Sequence, residues 1–265
     1  MTAAAFPHPE LLVEPRRRTI LGVAVAPMRR RQAIARLQDL LAQKLFTRVG
    51  FLNAHTANLA HTDPEFAASL GDFLILPDGI GVDLASKLLY GEAFPENLNG
   101  TDFVPAFLAS VGRPLRVGLI GAKAHHGEGA AAALRHAAPQ HSVFVVHHGF
   151  FSPEEEPLIL ERIKTLHLDV LLVAMGVPRQ ELWITRKIGP EHCLMPIAVG
   201  ALLDFLSGAV PRAPLWLRRL RMEWLFRLAL EPVRLWRRYV LGNPLFLYRV
   251  CRQKRARATP DAATS

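Results

Sequence analysis

Short apolar runs bounded by turn residues alternate along the chain with longer segments in which apolar residues recur every three or four positions. The short runs indicate buried strands, and the recurring spacing indicates amphipathic helices. The predicted strands are Ile20–Val25, Val49–Leu52, Phe73–Leu76, Arg116–Ile120, Val143–His147, Val170–Met175 and Pro196–Val199. Because strands and helices alternate, we predict an α/β fold with a Rossmann-like parallel sheet and helices on both faces.

Several predicted helix boundaries depend on single residues. Apolar positions in the segment Met28–Phe46 predict the first helix, and the helix after the second strand is predicted to break at Asp63-Pro64. Ser152 has the side chain of a helix cap, and Pro153 suits the first helical position. A helix is therefore predicted to begin at Pro153, with Ser152 as its cap.

One strand end carries candidate chemistry. The run Phe73–Leu76 stops at Pro77-Asp78-Gly79, and a helix-compatible segment follows from Val82 to Tyr90. Ligands of α/β sheets bind at the carboxyl ends of strands, so the Asp78 carboxylate is placed where a general base could act. A carboxylate here also suits the cap of the next helix or the turn itself. The spacing alone leaves both interpretations of Asp78 open.

The positive charge of the chain is concentrated near its C-terminal end. The net charge is +9, and segment 211–258 has thirteen Arg or Lys against two Glu, a net of +11 that leaves −2 for the remaining residues. Three of the four tryptophans, Trp216, Trp224 and Trp236, lie in this segment. Basic helices with Trp, Phe and Leu suit an anionic membrane surface. The alternative is a helical hairpin packed on the core with solvated arginines.

These features divide the chain of 265 residues into four predicted parts. They are a flexible N-terminal arm (1–18), an α/β core (19–208), a basic, membrane-associating helical appendage (209–256) and a disordered tail (257–265). No signal peptide is recognised, and no apolar stretch approaches the roughly 18 residues that span a bilayer. Cys193 and Cys251 form no disulfide framework, so we expect a reducing, cytoplasmic compartment.

Several common kinds of site have no counterpart in the sequence. The turn Gly118–Gly121 lacks the order of a dinucleotide-binding loop, and no P-loop or G-x-S-x-G motif occurs. The histidines lack zinc-site spacing, and there is no D-x-D pair of carboxylates to hold a divalent ion against a nucleotide diphosphate. We therefore expect no metal ion and no cofactor. A protein that handles a nucleotide sugar without one must neutralise the diphosphate with its own cations.

Several strings along the chain together resemble one family, the WecG/TagA/CpsF glycosyltransferases of bacterial surface-polymer assembly. The strings are Phe51–His55, Asp63–Phe66, Leu76–Gly81, Asn99–Asp102, His147–Phe151, Gly176–Glu181, Val199–Phe205, Arg212–Pro214, Glu223–Leu225, Glu231–Pro232 and Gly242–Pro244. The resemblance implies an inverting, metal-independent enzyme that moves a sugar from a UDP-sugar to a polyprenyl-diphosphate-linked saccharide. It also implies a peripheral position on the inner face of the cell membrane.

The resemblance also assigns site residues. Asp78 matches the proposed catalytic base of the family. The substrate-binding residues that the resemblance implies are Asn53, His55, Asn97, Asp102 and Gln180, together with the tail arginines Arg227, Arg234 and Arg237. The three arginines would close over the active site at the membrane and engage the diphosphate.

Two positions depart from the pattern of many family members. Phe51 stands where many have Thr, and Asn97 stands where a pocket Arg is expected. Both changes make the chain more similar to the GumM-type glucosyltransferases of exopolysaccharide assembly, which implies UDP-glucose as the donor. The alternative within the family is a transferase of N-acetylmannosamine or N-acetylmannosaminuronate.

Two interpretations lie outside the family. The basic tail would suit a nucleic-acid-binding or scaffold protein, although no motif that reads nucleic acid occurs and we expect no nucleic-acid partner. A Rossmann-type oxidoreductase lacks support because the dinucleotide fingerprint is missing. The sequence does not decide whether the core forms a homo-oligomer away from the membrane.

Overall fold

The computed structural model describes residues 16–214, 216–217 and 222–258 of the chain. Most of the predicted N-terminal arm and of the predicted C-terminal tail, residues 1–15 and 259–265, lies outside the described residues. In the described part, the strands are β1 (Arg18–Ile20), β2 (Val23–Val25), β3 (Arg48–Leu52), β4 (Phe73–Pro77), β5 (Arg116–Gly121), β6 (Ser142–His147), β7 (Leu168–Ala174) and β8 (Cys193–Ala198).

The strands form a single sheet in the order β1-β2-β4-β3-β8-β7-β5-β6. All neighbouring pairs are parallel except β1 and β2, which pair antiparallel. Helices cover both faces, and each face has its own cluster of buried apolar side chains. The predicted α/β fold with a parallel sheet between helices is confirmed.

The prediction of one strand over Ile20–Val25 is wrong, because this segment is part of a hairpin. Leu21 and Gly22 form its two-residue turn, with φ angles of 47° and 89°. Positive φ at both central residues suits the tight turns that join antiparallel strands. The Leu21 side chain is buried, so the apolar run continues through the turn and conceals it in the sequence.

The helices of the core follow the strands closely. They are α1 (Arg30–Ala42), α2 (Ala54–Thr62), α3 (Pro64–Leu70), α4 (Ile80–Tyr90), α5 (Gly100–Ser110), α6 (Ala124–Ala137), α7 (Glu156–Thr165), α8 (Arg179–Lys187) and α9 (Leu202–Leu206). The break predicted at Asp63-Pro64 is confirmed: Asp63 ends α2, and its side chain accepts a hydrogen bond from Phe66 N at the start of α3.

The helix predicted to begin at Pro153 begins three residues later, at Glu156. Residues 153–155 form a turn, in which the Glu155 carboxylate accepts a hydrogen bond from Ser152 N at 2.7 Å. A second proline, Pro157, lies in the first turn of α7, where its fixed φ suits the helix. Pro153 and Pro157 each suit the first turn of a helix, and the helix begins with the second of them in its first turn.

The C-terminal segment is helical and returns to the core. Its described helices are α10 (Glu223–Leu230), α11 (Pro232–Trp236) and α12 (Gly242–Ala258), and the π-helical turn Arg237–Leu241 joins the last two. Phe246 and Val250 of α12 are fully buried in the core. Asn58 of α2 donates to the Gly242 carbonyl at 2.7 Å and so fixes the beginning of α12. These contacts hold the helical turn before α12 over the carboxyl ends of β3 and β4.

Candidate active site

A cavity of about 500 Å³ lies at the carboxyl ends of β3 and β4. Its floor is formed by the residues that follow these strands and by the start of α5, which carry mostly polar side chains. Its other wall comes from α10, the π-helical turn and α12, and it includes the rings of Trp224, Tyr239 and Phe246. The cavity therefore combines a polar floor with a partly aromatic cover.

Asp78 lies deep in this cavity, directly after β4. It does not cap the next helix, because Gly79 occupies the cap position and α4 has no side-chain hydrogen bond at its start. Gly79 has a φ of 90°, which turns the chain so that the carboxylate faces the cavity. The position is fixed from both sides, since Asp78 N donates to the Leu52 carbonyl and Gly79 N donates to Asn97 Oδ1.

Compared with water, the environment of Asp78 favours the protonated form of its carboxyl group. Burial raises the pKa of the Asp78 carboxyl above its usual value, and the Asp102 carboxylate adds to the rise. The hydrogen bond from Asn53 and the positive charges of Arg238 and Arg227 oppose that rise but do not cancel it. A carboxylate with a raised pKa is a stronger proton acceptor once it is ionised, as a general base requires.

Asn53 connects this carboxylate to a helix terminus. Its Oδ1 accepts hydrogen bonds from His55 N and Thr56 N, both at 3.1 Å, and so caps α2. Its Nδ2 donates to Asp78 Oδ2 at 3.1 Å. The cap determines which end of the amide faces the helix, and the donor end therefore faces Asp78.

His55, the second residue of α2, lines the same cavity. Burial, followed by the charge of Arg238, lowers the pKa of His55 to about 4. The imidazole is therefore neutral near pH 7 and adds no positive charge to the cavity.

Asp102 and Glu223 join the core to the covering helices. Arg212 donates to Asp102 Oδ1 at 2.8 Å, and its Nε lies 3.3 Å from Glu223 Oε1. Asn99 also donates to Asp102 Oδ2 at 3.1 Å. The Asp102 carboxylate is therefore engaged by protein groups at the rim of the cavity.

The three tail arginines implied by the resemblance lie in different places. Arg227 lines the cavity. Arg234 is exposed and pairs with Glu231, and Arg237 is exposed beside the Trp236 ring, so neither lines it. Arg238 does line the cavity, and sequence reasoning did not assign it a role. Leu235, three positions before Arg238, is buried, so ordinary helical spacing places Arg238 on the inward side of this segment.

Gln180 also lies outside this cavity. It is buried at the start of α8, where its Oε1 accepts from Gly176 N at 3.2 Å and from Gly200 N at 3.1 Å. Its Nε2 donates to Glu181 Oε1 at 2.8 Å. Gln180 thus ties together the turns that follow β7 and β8.

The strand order predicts a second crevice at the carboxyl ends of β5 and β7. These strands are neighbours, yet α6 after β5 packs in one core cluster and α8 after β7 in the other. Such a divergence is the switch point at which doubly wound sheets bind ligands. Gly121 is required there, since a Cβ would lie 2.2 Å from the Ala174 carbonyl oxygen. His126 Nδ1 and Asp204 Oδ1 lie 2.6 Å apart beside the start of α6.

Among the described residues, no group of three or more His, Cys, Asp or Glu side chains is arranged to hold a metal ion. In the same part of the chain, no helix is both long and apolar enough to cross a membrane. Among the described cations, Arg238 and Arg227 act on the Asp78 carboxylate through their charge.

Comparison with known proteins gives one consistent result. A family profile described as "Glycosyl transferase WecG/TagA/CpsF family" matches residues 18–260. Two proteins of Staphylococcus aureus, from strains MRSA252 and NCTC 8325, are each 33% identical over 183 residues, which is 68% of this chain and 70% of theirs. Both bear the name N-acetylglucosaminyldiphosphoundecaprenol N-acetyl-beta-D-mannosaminyltransferase.

Proposed function

This chain belongs to the WecG/TagA/CpsF family of glycosyltransferases, and we propose that it transfers a sugar from a UDP-sugar to a polyprenyl-diphosphate-linked saccharide. The observation that carries the proposal is the arrangement around Asp78. A carboxylate with a raised pKa lies at the end of a strand, faces a cavity and is oriented by the Asn53 amide. Two guanidinium groups, those of Arg227 and Arg238, line the same cavity.

The proposed reaction uses Asp78 as the general base. A hydroxyl oxygen of the acceptor saccharide attacks the anomeric carbon of the donor, and its proton moves to the Asp78 carboxylate. The bond between the anomeric carbon and the diphosphate oxygen breaks, and UDP leaves with the electron pair. Attack on the face opposite the leaving group inverts the configuration at the anomeric carbon. Base assistance of this kind contributes about 10² to 10⁴ in rate.

Positive charge for the departing diphosphate comes from arginine in this proposal, and we expect no metal ion. Guanidinium groups bind phosphate oxygens through paired hydrogen bonds and stabilise the charge that develops on a leaving diphosphate. The proposal therefore predicts full activity in the presence of a chelator of divalent ions.

The proposed place of the donor nucleotide is the crevice at the ends of β5 and β7. Gly121 and Gly149 allow the backbones after β5 and β6 to approach closely, because a Cβ at Gly149 would lie 3.1 Å from Gly121 Cα. The start of α6, which follows β5, has no side-chain cap hydrogen bond, so the first N–H groups of this helix suit a phosphate. Gln180 fixes the turns after β7 and β8, so its role in this proposal is to shape the crevice.

N-acetylmannosamine is the first candidate for the donor sugar, because the relatives carry that activity in their names. The structure weakens the argument for glucose from Phe51, one of the two sequence features that favour that sugar. The Phe51 side chain is buried in the core, where it contacts the ring of Phe103 rather than the cavity. Its identity therefore does not determine a direct contact with the sugar.

Glucose remains the second candidate because of Asn97. The Asn97 side chain lines the cavity and accepts a hydrogen bond from Gly79 N at 2.8 Å. An arginine at this position has no acceptor atom for that bond, so chains with arginine there must arrange the Asp78 turn or the sugar contacts differently.

The proposed site of action is the inner face of the cell membrane. Exposed apolar side chains follow one another along α11, the π-helical turn and α12, at spacings that place them on one side. They are Val233, Trp236, Val240, Leu241, Leu245 and Tyr248. Exposed arginines, among them Arg234 and Arg237, lie between them. An apolar stripe with adjacent basic residues suits the interface of an anionic membrane, where the lipid-linked acceptor resides.

The direct test is transfer with purified protein. The protein is incubated with UDP-N-acetylmannosamine, UDP-glucose or related UDP-sugars, and with a synthetic N-acetylglucosaminyl diphosphate lipid, with and without chelator. We expect UDP release and a product heavier by one sugar, and the Asp78→Asn variant is the control for background hydrolysis. Absence of transfer from every UDP-sugar, with salt-dependent binding to DNA, would favour the nucleic-acid interpretation instead.

A further inference from the structure

The cavity around Asp78 has apolar side chains on α4 that have no role in the proton transfer. Ile80 and Leu84 line the cavity, and their side chains are 37% and 43% exposed. They are four positions apart, so they lie on the same face of α4 in successive turns. Other positions of this helix, among them Val82 and Ala85, are buried in the core. The exposed apolar face of α4 is therefore turned to the cavity.

Helix α12 extends this apolar lining. Phe246 and Leu247 of α12 line the cavity as well, and both pack in the core cluster on this face of the sheet. A Cβ at Gly81 would lie 3.7 Å from the Phe246 ring, so α12 packs closely against α4 next to Ile80. This packing fixes Leu247 relative to α4. We call Ile80, Leu84 and Leu247 the apolar wall of the cavity.

An apolar wall in a cavity suits a ligand that has an apolar part. In the proposed function, the UDP-sugar carries polar groups along its whole length, in the base, the ribose, the diphosphate and the sugar. The lipid-linked acceptor is the substrate with a hydrocarbon chain. Contact between that chain and the side chains of Ile80 and Leu84 removes apolar surface of both from water, which favours binding. The apolar wall therefore matches the acceptor rather than the donor.

The position of the apolar wall also suits the acceptor. The saccharide and the diphosphate separate the attacking hydroxyl, at Asp78, from the first isoprene unit. Helix α4 begins two residues after Asp78, and Leu84 lies about 6 Å beyond Ile80 along its axis. Leu247 is followed by Tyr248, which belongs to the exposed apolar stripe. A chain that begins beside Leu84 and passes Leu247 therefore reaches the stripe, where the bilayer takes up the remainder.

We propose that Ile80, Leu84 and Leu247 bind the first isoprene units of the lipid-linked acceptor. The proposal deepens the proposed function and rests on it for the identity of that acceptor. It gives α4, a helix of the core, a part in lipid recognition that is separate from the exposed stripe of the C-terminal segment. The protein should therefore recognise the chain of a prenyl diphosphate in solution, without a membrane.

Prenyl diphosphates of different length separate the effect of the chain from that of the diphosphate. Isopentenyl, geranyl and farnesyl diphosphate share one headgroup and differ in the number of isoprene units, and UDP has no such chain. Each is titrated by calorimetry into the full chain, below the concentration at which the ligand aggregates. The variants are Leu84→Gln, Ile80→Thr and Leu84→Met. Leu158→Gln is the matched control, since Leu158 is exposed on α7, which follows β6 at the far edge of the sheet.

We expect the affinity of the wild-type protein to rise by about 10-fold or more from isopentenyl to farnesyl diphosphate, because the longer chain buries more apolar surface. Leu84→Gln and Ile80→Thr should reduce this gain by about 3-fold to 10-fold, since each places a polar group in the apolar wall. Leu84→Met should keep most of the gain, because methionine is also apolar and adapts its shape. Leu158→Gln should not change it. In every variant, the affinity for UDP should fall less than the affinity for farnesyl diphosphate.

Circular dichroism establishes that each variant is folded, so that the binding results can decide. The proposal is overturned by wild-type protein that binds all three prenyl diphosphates equally or binds none of them. An unchanged gain in both Leu84→Gln and Ile80→Thr, an equal loss in Leu158→Gln, or an equal loss of UDP affinity would also overturn it.

Two further outcomes have their own meaning. A wild-type dimer that Leu84→Gln dissociates, with no gain in affinity along the prenyl series, would overturn the proposal and assign the apolar wall to a second copy of the chain. Failure of the proposed function is distinct, because the gain would then depend on Leu84 although the protein transfers no sugar in the assay with UDP-sugars.

Discussion

The Asn53 amide lies between a helix terminus and the Asp78 carboxylate, 3.1 Å from Asp78 Oδ2 through its Nδ2. Its other end is held by the backbone of His55 and Thr56. A rotation of the amide would break both the cap of α2 and the bond to Asp78. The start of α2 therefore determines the orientation of the proposed base.

The substitution Asp78→Asn should lower the catalytic rate and raise the stability of the protein. We expect kcat to fall by about 10² to 10⁴, because an amide cannot accept the acceptor proton. The variant should unfold at a higher temperature near pH 7. The pKa of Asp78 is higher in the folded state than in the unfolded state, so the unfolded chain ionises first as the pH rises. The contribution of Asp78 to stability is therefore full below the unfolded-state pKa and is lost as the pH rises through the folded-state pKa. Kinetics and thermal unfolding check both effects, and a wild-type kcat would contradict the assignment.

Asn53→Asp tests how the neighbouring amide sets the pKa of the base. Aspartate is a good helix cap, so α2 should be retained, but a second carboxylate then replaces the donor to Asp78. The pKa of Asp78 should rise, and the acidic limb of the kcat/KM profile should move to higher pH. Asn53→Ser keeps a helix cap and removes the amide donor to Asp78 without adding charge. The acidic limb of its kcat/KM profile should therefore move less. Identical profiles for both variants would argue against this role.

The architecture was readable from the sequence because apolar burial repeats at regular intervals. The strands and the break at Asp63-Pro64 follow from side-chain periodicity and from proline, which are local properties. The β1–β2 hairpin was missed because Leu21 is apolar and buried although it lies in the turn. Hydrophobicity does not reveal a backbone that reverses direction inside the core.

The site was only partly readable for a different reason. Asp78 and Asn53 follow strand ends, where the topology of an α/β sheet concentrates function, and they lie together as the resemblance implied. Gln180 bonds to two turns, a role that requires knowledge of which loops are neighbours. Arg238 lines the cavity because its segment packs on the core through Leu235, and which side of a surface helix meets the core is a tertiary property.

Arg238→Gln should change the titration of a neighbouring histidine. Burial and the charge of Arg238 lower the pKa of His55 to about 4. Removal of that charge leaves burial as the main cause, so the pKa of His55 should rise but stay below its usual value. Nuclear magnetic resonance of the imidazole across pH 3 to 8 measures the change without substrate. An unchanged midpoint would place Arg238 farther from the cavity than the structure does.

Glu181→Gln should stabilise the protein at neutral and alkaline pH. Burial raises the pKa of Glu181 from 4.5 to about 7. The unfolded chain ionises first, so wild-type stability should fall as the pH rises from about 4.5 to 7 and then level off. The variant should lack this loss. Its free energy of unfolding should exceed that of wild type by roughly 1 to 3 kcal/mol above pH 7, with little difference at pH 4. Urea unfolding at several pH values checks this, and a constant difference would contradict it.

The exposed apolar stripe predicts where the protein meets a membrane. Val240 and Leu241 lie on it, with 53% and 55% of their surfaces exposed. In the double variant Val240→Glu/Leu241→Glu, binding to vesicles containing anionic lipid should fall by about 10-fold or more, because each position loses apolar contact and gains a repelled charge. Leu158→Glu is the matched control, since Leu158 is 77% exposed on α7, away from the stripe. Vesicle co-sedimentation measures the difference. Equal losses of vesicle binding in the two variants would indicate a general charge effect. Unchanged vesicle binding of the double variant would show that the stripe does not contact the membrane.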